Sequence, residues 1–346
     1  MRVPRLLIPV LLACVSWPAS ASDLREIGMV NLPGPPGFSQ VAFADGMLLL
    51  THPGASSVDI FDAVRRRDIA QITGLESPRG MAVDDKNGRV YVADHGSNSI
   101  AVIATDGWKV IDAIRLPGSP DSLVLGGDGK LYWADADAQT LSLLDLQTKQ
   151  DVAQIELGGT PRDLVTDSAR HLVFVTLQDV HQIVAVTSGS PTSPAVGPGG
   201  ANVPQLKIVN RFTLNASQPT GLIYDPQYNE LYTAVRSSVL AISADTGAEI
   251  DRVAAPAGVD SLWLDPDSRT LYAASEGSLV VISAKGRLTK IDEIATADVK
   301  GHTVAFDAEK NIVLLPGGNH GTSKLLILRP MTPNAPPGMD SDARVR

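Results

Sequence analysis

A unit of about forty residues recurs along this chain, and it constrains the possible fold more than any other feature of the sequence. Seven copies can be aligned on a common starting position, at Phe38, Pro78, Pro120, Pro161, Pro219, Val259 and Gly301. The steps between these starts are 40, 42, 41, 58, 40 and 42 residues. Because one unit of this size must stack on its neighbours to bury its apolar side chains, the sequence predicts an array of similar units.

Each unit contains four short runs that have the composition of β-strands. In the second unit they are residues 81–83, 90–93, 100–103 and 109–116. The runs are rich in β-branched residues and are bounded by Gly, Pro, Asp and Asn, and no window shows a sustained helical stripe. Four strands in about forty residues are typical of a propeller blade. We therefore predict an all-β fold, a seven-bladed β-propeller with four antiparallel strands per blade.

The two ends of the repeat array complement each other. Only three strands follow Gly301, whereas residues 24–34 resemble residues 109–118, the fourth strand of the second unit. The N-terminal strand is therefore expected to complete the last blade. This arrangement closes the ring and removes an exposed sheet edge, which would otherwise invite pairing with another chain.

Two kinds of residue repeat at fixed positions in the units. An acid stands six residues after the start in five units, and we predict that these carboxylates accept backbone N–H groups in the turn after the first strand, on the face away from the ligand. They are Asp84, Asp167, Asp225, Asp265 and Asp307. Tyrosines of the second strand are predicted to pack between blades. They are Tyr91, Tyr132, Tyr232 and Tyr272.

The repeats resemble known propeller families. Residues 91–94 read Tyr-Val-Ala-Asp and residues 132–135 read Tyr-Trp-Ala-Asp, where the YVTN signature falls. Residues 78–84, together with Asn98-Ser99-Ile100, resemble an NHL unit. Residues 24 to 329 are thus similar to the YVTN/NHL-type repeat β-propellers of exported bacterial proteins. The resemblance implies the fold and no single activity, since these families include enzymes, enzyme subunits and binding proteins.

Residues 1–21 have the pattern of a signal peptide. Arg2 and Arg5 precede an apolar stretch at residues 6–13, and Ala-Ser-Ala at residues 19–21 is a small-residue cleavage site. We expect cleavage after Ala21 and a periplasmic or secreted protein. The alternative is a lipoprotein box at residues 11–14, which would place a lipid anchor on Cys14. No later segment is long enough to suggest a transmembrane helix.

The rest of the composition excludes several classes of function. Cys14 is the only cysteine, so a chain that begins at Ser22 has no disulfide or cysteine-ligated metal. Loss of Arg2 and Arg5 changes the formal charge from −9 to −11, and without a basic cluster we expect no nucleic-acid partner. We assign residues 22–329 to one domain, with a Gly/Pro/Ser-rich loop insertion at 188–205 in blade 4. The tail at residues 330–346 is expected to be disordered.

The alternating strand directions of a blade predict which face carries the ligand site. The start of the first strand, the end of the second and the start of the third lie on one face, around a channel mouth, and the insertion lies on the opposite face. Arginine has a fork that suits carboxylate or phosphate, although pairing of Arg79 and Arg162 with Asp121 and Asp163 is the structural alternative. The candidate ligand-binding residues of the mouth are Arg79, Asp121, Arg162, Asp260 and Arg236.

The same face carries four of the six histidines. Imidazole is a common metal ligand, so His52, His95, His302 and His320 are candidate ligands of a divalent metal. Such a metal would activate water for lactone or ester hydrolysis or assist a lyase, and gluconolactonase and streptogramin-lyase propellers are similar in general plan. The candidate catalytic residues are His95, Asp94 and Glu276. The alternative is that the histidines are ordinary turn residues beside Gly and Asn.

Three functional interpretations therefore stay open. The first is a binding or scaffold protein that recognises a small-molecule ligand or protein partner at the mouth. The second is the metal-dependent hydrolase or lyase, and the third, implied only by the family resemblance, is a subunit of a quinoprotein-type redox system. The chain lacks the serine-hydrolase elbow, the zincin motif, the phosphate-binding loop and the dinucleotide fingerprint, so these site types are excluded.

Overall fold

Seven four-stranded antiparallel sheets stand in a ring in the computed structural model, which describes residues 23–127, 129–188, 195–196, 202–203 and 205–331. The predicted all-β, seven-bladed propeller is confirmed. The first strands of successive blades contact one another from blade 1 to blade 7. They therefore form the wall of a central channel, and the fourth strands form the outer rim.

The strands are numbered in chain order, and the blades follow the order of their first strands. Strand β1 is Asp23–Leu32, and blade 1 contains β2 (Val41–Ala44), β3 (Met47–His52), β4 (Ser57–Asp62) and β5 (Arg67–Thr73). Blade 2 contains β6 (Pro78–Asp84), β7 (Arg89–Asp94), β8 (Ser99–Ala104) and β9 (Lys109–Arg115). Blade 3 contains β10 (Ser122–Leu125), β11 (Lys130–Asp135), β12 (Thr140–Asp145) and β13 (Gln150–Glu156).

The remaining blades repeat this order. Blade 4 contains β14 (Pro161–Asp167), β15 (Leu172–Leu177), β16 (Gln182–Thr187) and β19 (Lys207–Thr213), and a separate two-stranded sheet pairs β17 (Ala195–Val196) with β18 (Asn202–Val203). Blade 5 contains β20 (Leu222–Asp225), β21 (Glu230–Val235), β22 (Ser238–Ser243) and β23 (Glu249–Ala254). Blade 6 contains β24 (Val259–Asp265), β25 (Thr270–Ser275), β26 (Ser278–Ser283) and β27 (Thr289–Ala295). Blade 7 contains β28 (Ala305–Asp307), β29 (Ile312–Asn319) and β30 (Thr322–Met331).

The N-terminal strand closes the ring, as the sequence predicts. β1 pairs antiparallel with β30, with Val30 opposite Leu325, and becomes the fourth strand of blade 7. The register shifts between Glu26 and Gly28, which marks a bulge in β1. Both ends of the propeller thus lie in one sheet, so unfolding of that sheet would open the ring.

The core consists of seven clusters of buried apolar side chains, one between each pair of neighbouring blades. The four tyrosines of the second strands each lie in one of these clusters, which confirms their predicted packing role. Burial of these apolar faces contributes roughly 25 cal/mol for each Å² removed from water. Each blade depends on both neighbours for this burial, so the closed ring stabilises every unit.

The repeated acids occupy the turns for which they were predicted. Each accepts a backbone N–H within its turn, at 2.9 to 3.1 Å, as seen for Asp84 with Asn87 and Asp225 with Gln227. The other three acids make the same kind of bond. The carboxylates therefore fix the turn between the first and second strands, on the face opposite to the mouth.

Parts of several predicted segments lie outside the described residues. These parts are the signal peptide, the residues of the insertion other than 188, 195–196, 202–203 and 205, and the tail from residue 332. β30 continues to Met331, so the strand extends past the predicted start of the tail. Among the described residues, no helix has the length and apolar character that crossing a bilayer would require.

Candidate functional site

A cavity of about 730 Å³ lies at the end of the central channel, on the predicted ligand face. The second residue of every repeat unit lines it, because this residue stands where each first strand enters the channel wall. These residues are Ser39, Arg79, Asp121, Arg162, Thr220, Asp260 and His302. All seven blades thus contribute at least one side chain to the mouth cavity, and the charged side chains at this position alternate in sign along much of the ring.

One group of charges joins blades 2 and 3. A terminal guanidinium nitrogen of Arg79 pairs with Oδ1 of Asp121, and Nδ1 of His95 lies 3.4 Å from the same oxygen. The other oxygen of Asp121 accepts the backbone N–H of Ala136 at 2.8 Å. His95 begins the short 3₁₀ turn His95–Ser97 after β7, which directs its ring toward blade 3. Arg79 therefore pairs with Asp121, as the structural alternative to a ligand-binding arginine predicts.

A second group of charges joins blades 4, 6 and 7. Nη2 of Arg162 lies 3.3 Å from Oδ1 of Asp260, and Nδ1 of His302 lies 3.4 Å from Oδ2 of the same carboxylate. Burial raises the pKa of Asp260, but the adjacent imidazole of His302 and the charge of Arg162 outweigh it and hold this pKa below its usual value. The neighbouring carboxylate of Asp260 in turn raises the pKa of His302.

Asp163, the neighbour of Arg162, is held by the channel wall rather than by a cation. Its Oδ1 accepts the backbone N–H of Leu164 and its Oδ2 accepts the backbone N–H of Leu222, both at 2.9 Å. Burial raises the pKa of Asp163 to about 6, in spite of these two bonds. The expectation that Arg162 pairs with Asp163 is thus replaced by the Arg162–Asp260 pair.

A smaller cavity of about 240 Å³ adjoins the mouth between blades 6, 7 and 1. Gly37, Phe38, His302 and Thr303 line both cavities, so the two share this wall. Backbone segments approach closely beside the side cavity, where a Cβ on Gly317 would lie 2.4 Å from the carbonyl oxygen of Val299. The side cavity thus forms a recess beside His302.

The family model of the NHL repeat matches residues 75–103, which include the first three strands of blade 2. The chain is an NHL-type repeat β-propeller. No curated protein matches it. The matched residues include Arg79 and His95, so part of the mouth lies within the recognisable repeat.

His52 of this NHL-type propeller does not line the mouth cavity. Its ring is fully buried, stacks on Phe38 with 4.1 Å between ring centroids, and uses both nitrogens. Nδ1 lies 2.6 Å from Oδ2 of Asp59 and Nε2 lies 2.7 Å from the carbonyl oxygen of Pro35. His52 therefore ties the segment between β1 and β2 to blade 1 and serves the structure.

Four other candidates also lie outside the mouth cavity of the NHL-type propeller. His320 is exposed, with φ 51°, in the turn between β29 and β30, and Arg236 is exposed between β21 and β22. Asp94 is buried and accepts the hydroxyl of Ser97 at 2.7 Å. Glu276 lines the side cavity. The structure thus places Arg79, Asp121, Arg162, Asp260 and His302 at the mouth cavity and His95 at its edge.

The four candidate metal-binding histidines do not share a site. In the described part of the chain, no three His, Cys, Asp or Glu side chains form a group that could hold a metal ion. His302 faces Asp260, His95 faces Asp121, and His52 faces Asp59. These donor sets do not fit a resident metal, and no metal-dependent step is assigned to them.

The channel wall below the mouth contains an aromatic contact between two first strands. Trp263 lines the mouth cavity and meets Phe43 edge to face, with ring centroids 5.8 Å apart. The two rings come from blades 6 and 1, which are not neighbours, so they bridge blade 7 on the channel side. The repeat alignment places both residues on first strands, but it does not show that their rings are in contact.

Proposed function

We propose that this NHL-type propeller is an exported binding protein that recognises a polar ligand or a protein partner at its channel mouth. The observation that carries the proposal is the mouth cavity of about 730 Å³, to which every blade contributes at least one side chain. Ligand sites of this size are commonly concave and carry a few converging polar groups. Arg79, Asp121, Arg162, Asp260 and His302 supply such groups here.

A ligand screen on the chain from Ser22 to Arg346 tests this proposal. Thermal unfolding is measured with a library of polar metabolites and short peptides, since a ligand that binds only the folded protein raises its unfolding temperature. Ser39→Trp fills the mouth cavity from blade 1, and Ser168→Trp adds the same side chain to an exposed turn on the opposite face. We expect stabilisation that is lost in the first variant and kept in the second. Stabilisation that survives Ser39→Trp, or none at all, would contradict the proposal.

Export is part of the same proposal. The basic start, apolar stretch and cleavage site of residues 1–21 support it. Expression of the full chain in a bacterium, followed by fractionation and mass measurement, should give a periplasmic or secreted protein that begins at Ser22. A membrane-bound product with a lipid on Cys14 would support the lipoprotein alternative, and an uncleaved cytoplasmic product would refute export.

A hydrolase or lyase at the same mouth is the second candidate, and one observation favours it. Nδ1 of His302 faces Asp260, while Nε2 has no hydrogen-bond partner among the described residues. A histidine that is oriented in this way can accept a proton as a general base. Turnover of lactones or esters by the wild type, lost in His302→Gln, would support this candidate, and metal analysis of both proteins would show whether an ion takes part.

A further inference from the structure

The carboxylates of the mouth cavity already have partners and are less exposed than its arginines. Asp121 is held by Arg79 and a backbone N–H, and Asp260 lies beside Arg162 and His302. Asp163 accepts two backbone N–H groups. The side chains of Asp121 and Asp260 are 12% and 34% exposed, so a cationic ligand would compete with the cations that already face them.

The guanidinium groups of the mouth have the opposite property. A guanidinium carries five N–H donors. Arg79 and Arg162 each pair with one carboxylate, and their other N–H groups have no acceptor within the described part of the chain. Their side chains are 38% and 44% exposed, and both line the mouth cavity. Most of the donor capacity of these two exposed guanidinium groups is thus free.

We infer that the mouth selects an organic anion, whose carboxylate or phosphate group accepts the free N–H groups of Arg79 and Arg162. This inference rests on the proposed binding function and names the chemical class of its ligand. Arginine favours such groups because its planar fork matches two anionic oxygens at once. The size of the cavity, about 730 Å³, leaves room for an organic remainder beyond the anionic group.

Protons should bind together with the anion. The charged groups that face His302 are Asp260 and Arg162 from the mouth, with Glu276 and Lys300 in the side cavity. Asp260 raises the pKa of His302, so the imidazolium is present at mildly acidic pH and adds a positive charge beside the mouth. As the pH rises, His302 loses this charge and Asp163 of the same cavity, whose pKa is raised to about 6, gains a negative one. Affinity for an anion should therefore fall as the pH increases.

Calorimetric titration with matched pairs of ligands tests the inference. The probes are aliphatic, aromatic and sugar carboxylic acids, each beside its neutral amide, and one sugar phosphate beside the parent sugar. We expect at least one acid or phosphate to bind about tenfold or more tightly than its neutral counterpart, because hydrogen bonds to charged groups are the stronger ones. Affinity should be higher at about pH 5.5 than at about pH 8, on either side of the usual histidine pKa.

Two variants test whether the anion binds at the mouth cavity. Arg162→Gln removes the charge at the mouth and leaves Asp260 beside His302, whereas Arg67→Gln makes the same change on β5, away from the mouth cavity. Binding should weaken about tenfold in the first variant and stay unchanged in the second. A ligand that binds at the mouth equally well as acid and amide overturns the inference and leaves the binding function standing. If no probe and no member of the earlier library binds, both are overturned.

Discussion

Arg269 offers the sharpest test of how the blades hold together. It lies between β24 and β25, on the face opposite to the mouth, and its side chain is only 9% exposed. Its guanidinium lies 3.3 Å from Asp225 and 3.3 Å from Glu230, both of blade 5. Nε donates to the carbonyl oxygen of Ala284 at 2.7 Å, and the group lies 3.4 Å from the ring centre of Tyr228. One blade 6 side chain thus neutralises two acids of blade 5.

Arg269→Met removes this cation and keeps much of the side-chain volume. Asp225 is buried, so its charge would lose its partner in a poorly solvated place. Removal of one partner from a buried ion pair costs about 3–5 kcal/mol, and loss of the contact with Tyr228 adds about 0.5–1 kcal/mol. Glu230 keeps the hydroxyl of Tyr232 as a donor at 2.6 Å, which offsets part of the loss. We expect the free energy of unfolding to fall by about 3–4 kcal/mol.

Urea unfolding followed by tryptophan fluorescence measures this change, and Arg170→Met is the matched control. Arg170 also reaches from blade 4 to blade 5, where it pairs with the exposed Asp245, and its own side chain is 34% exposed. Its second partner, Asp167, is buried but keeps the backbone N–H groups of Ala169 and Arg170 and the hydroxyl of Tyr224 as donors, so the control should lose less stability than Arg269→Met. A double variant with Arg269→Met and Asp225→Asn should recover part of the stability, because it removes the unpaired charge.

Either of two results would show that the buried ion pair does not control the stability of this interface. If Arg269→Met costs no more than Arg170→Met, burial of the ion pair does not control the energetics of this interface. If the Asp225→Asn change gives no recovery, the loss comes from packing around the methionine and not from an unpaired carboxylate.

Three further predictions concern the core, the backbone and the pH dependence. Phe61 is fully buried between blades 7 and 1, so Phe61→Ala should lower the free energy of unfolding by about 3–5 kcal/mol in urea. A Cβ on Gly96 would lie 2.2 Å from the carbonyl oxygen of Glu76, whereas one on Gly127 meets nothing within 4 Å; Gly96→Ala should therefore lower the unfolding temperature and Gly127→Ala should not. The pKa of Asp163 is raised to about 6, so folding takes up a proton between the unfolded value of 3.8 and about 6, and the contribution of Asp163 to stability falls as pH rises through that window. Asp163→Asn should flatten this part of the pH profile of the urea midpoint, and an unchanged slope would disprove the assignment.

The blade count and the turn acids were predictable because each depends on strand length and turn residues within one unit. The ring closure joins the two ends of the array, and it was predictable because residues 24–34 resemble residues 109–118, a fourth strand. The face on which a residue lies was predictable for the same reason, since strand direction alternates within a blade. These properties need no knowledge of how side chains reach across the channel.

The pairing of charges at the mouth depends on how side chains extend across the channel. Asp163 is the sequence neighbour of Arg162, yet its carboxylate is taken by the backbone N–H groups of Leu164 and Leu222. Arg162 instead reaches Asp260, two blades further round the ring. His52 ends a second strand and His95 directly follows one, but the ring of His52 pairs with Asp59 and is buried in the core. These side-chain pairings depend on tertiary contacts, which cannot be deduced from the spacing of residues in the sequence.

Two positions in the repeat show how stability and recognition are separated. The residues three after each start are all apolar and buried, namely Val41, Met81, Leu123, Leu164, Leu222, Leu262 and Val304. The residues one after each start vary between Ser, Thr, Arg, Asp and His. Packing thus requires an apolar residue three positions after each start, whereas the residue one position after the start can vary with the chemistry of the ligand.

This separation makes a prediction within a single blade. Arg79→Ser places at the mouth the residue type that blade 1 already has there, and Asp121 keeps the backbone N–H of Ala136 as a donor. The cost should be about 1 kcal/mol or less in urea, as for other partly exposed ion pairs. Met81→Ala, two residues away, should cost about 2–5 kcal/mol because that side chain is buried in the core between blades 1 and 2. Equal costs would mean that the mouth charges also hold the ring together, and the seven mouth positions would then not be free to vary with the ligand.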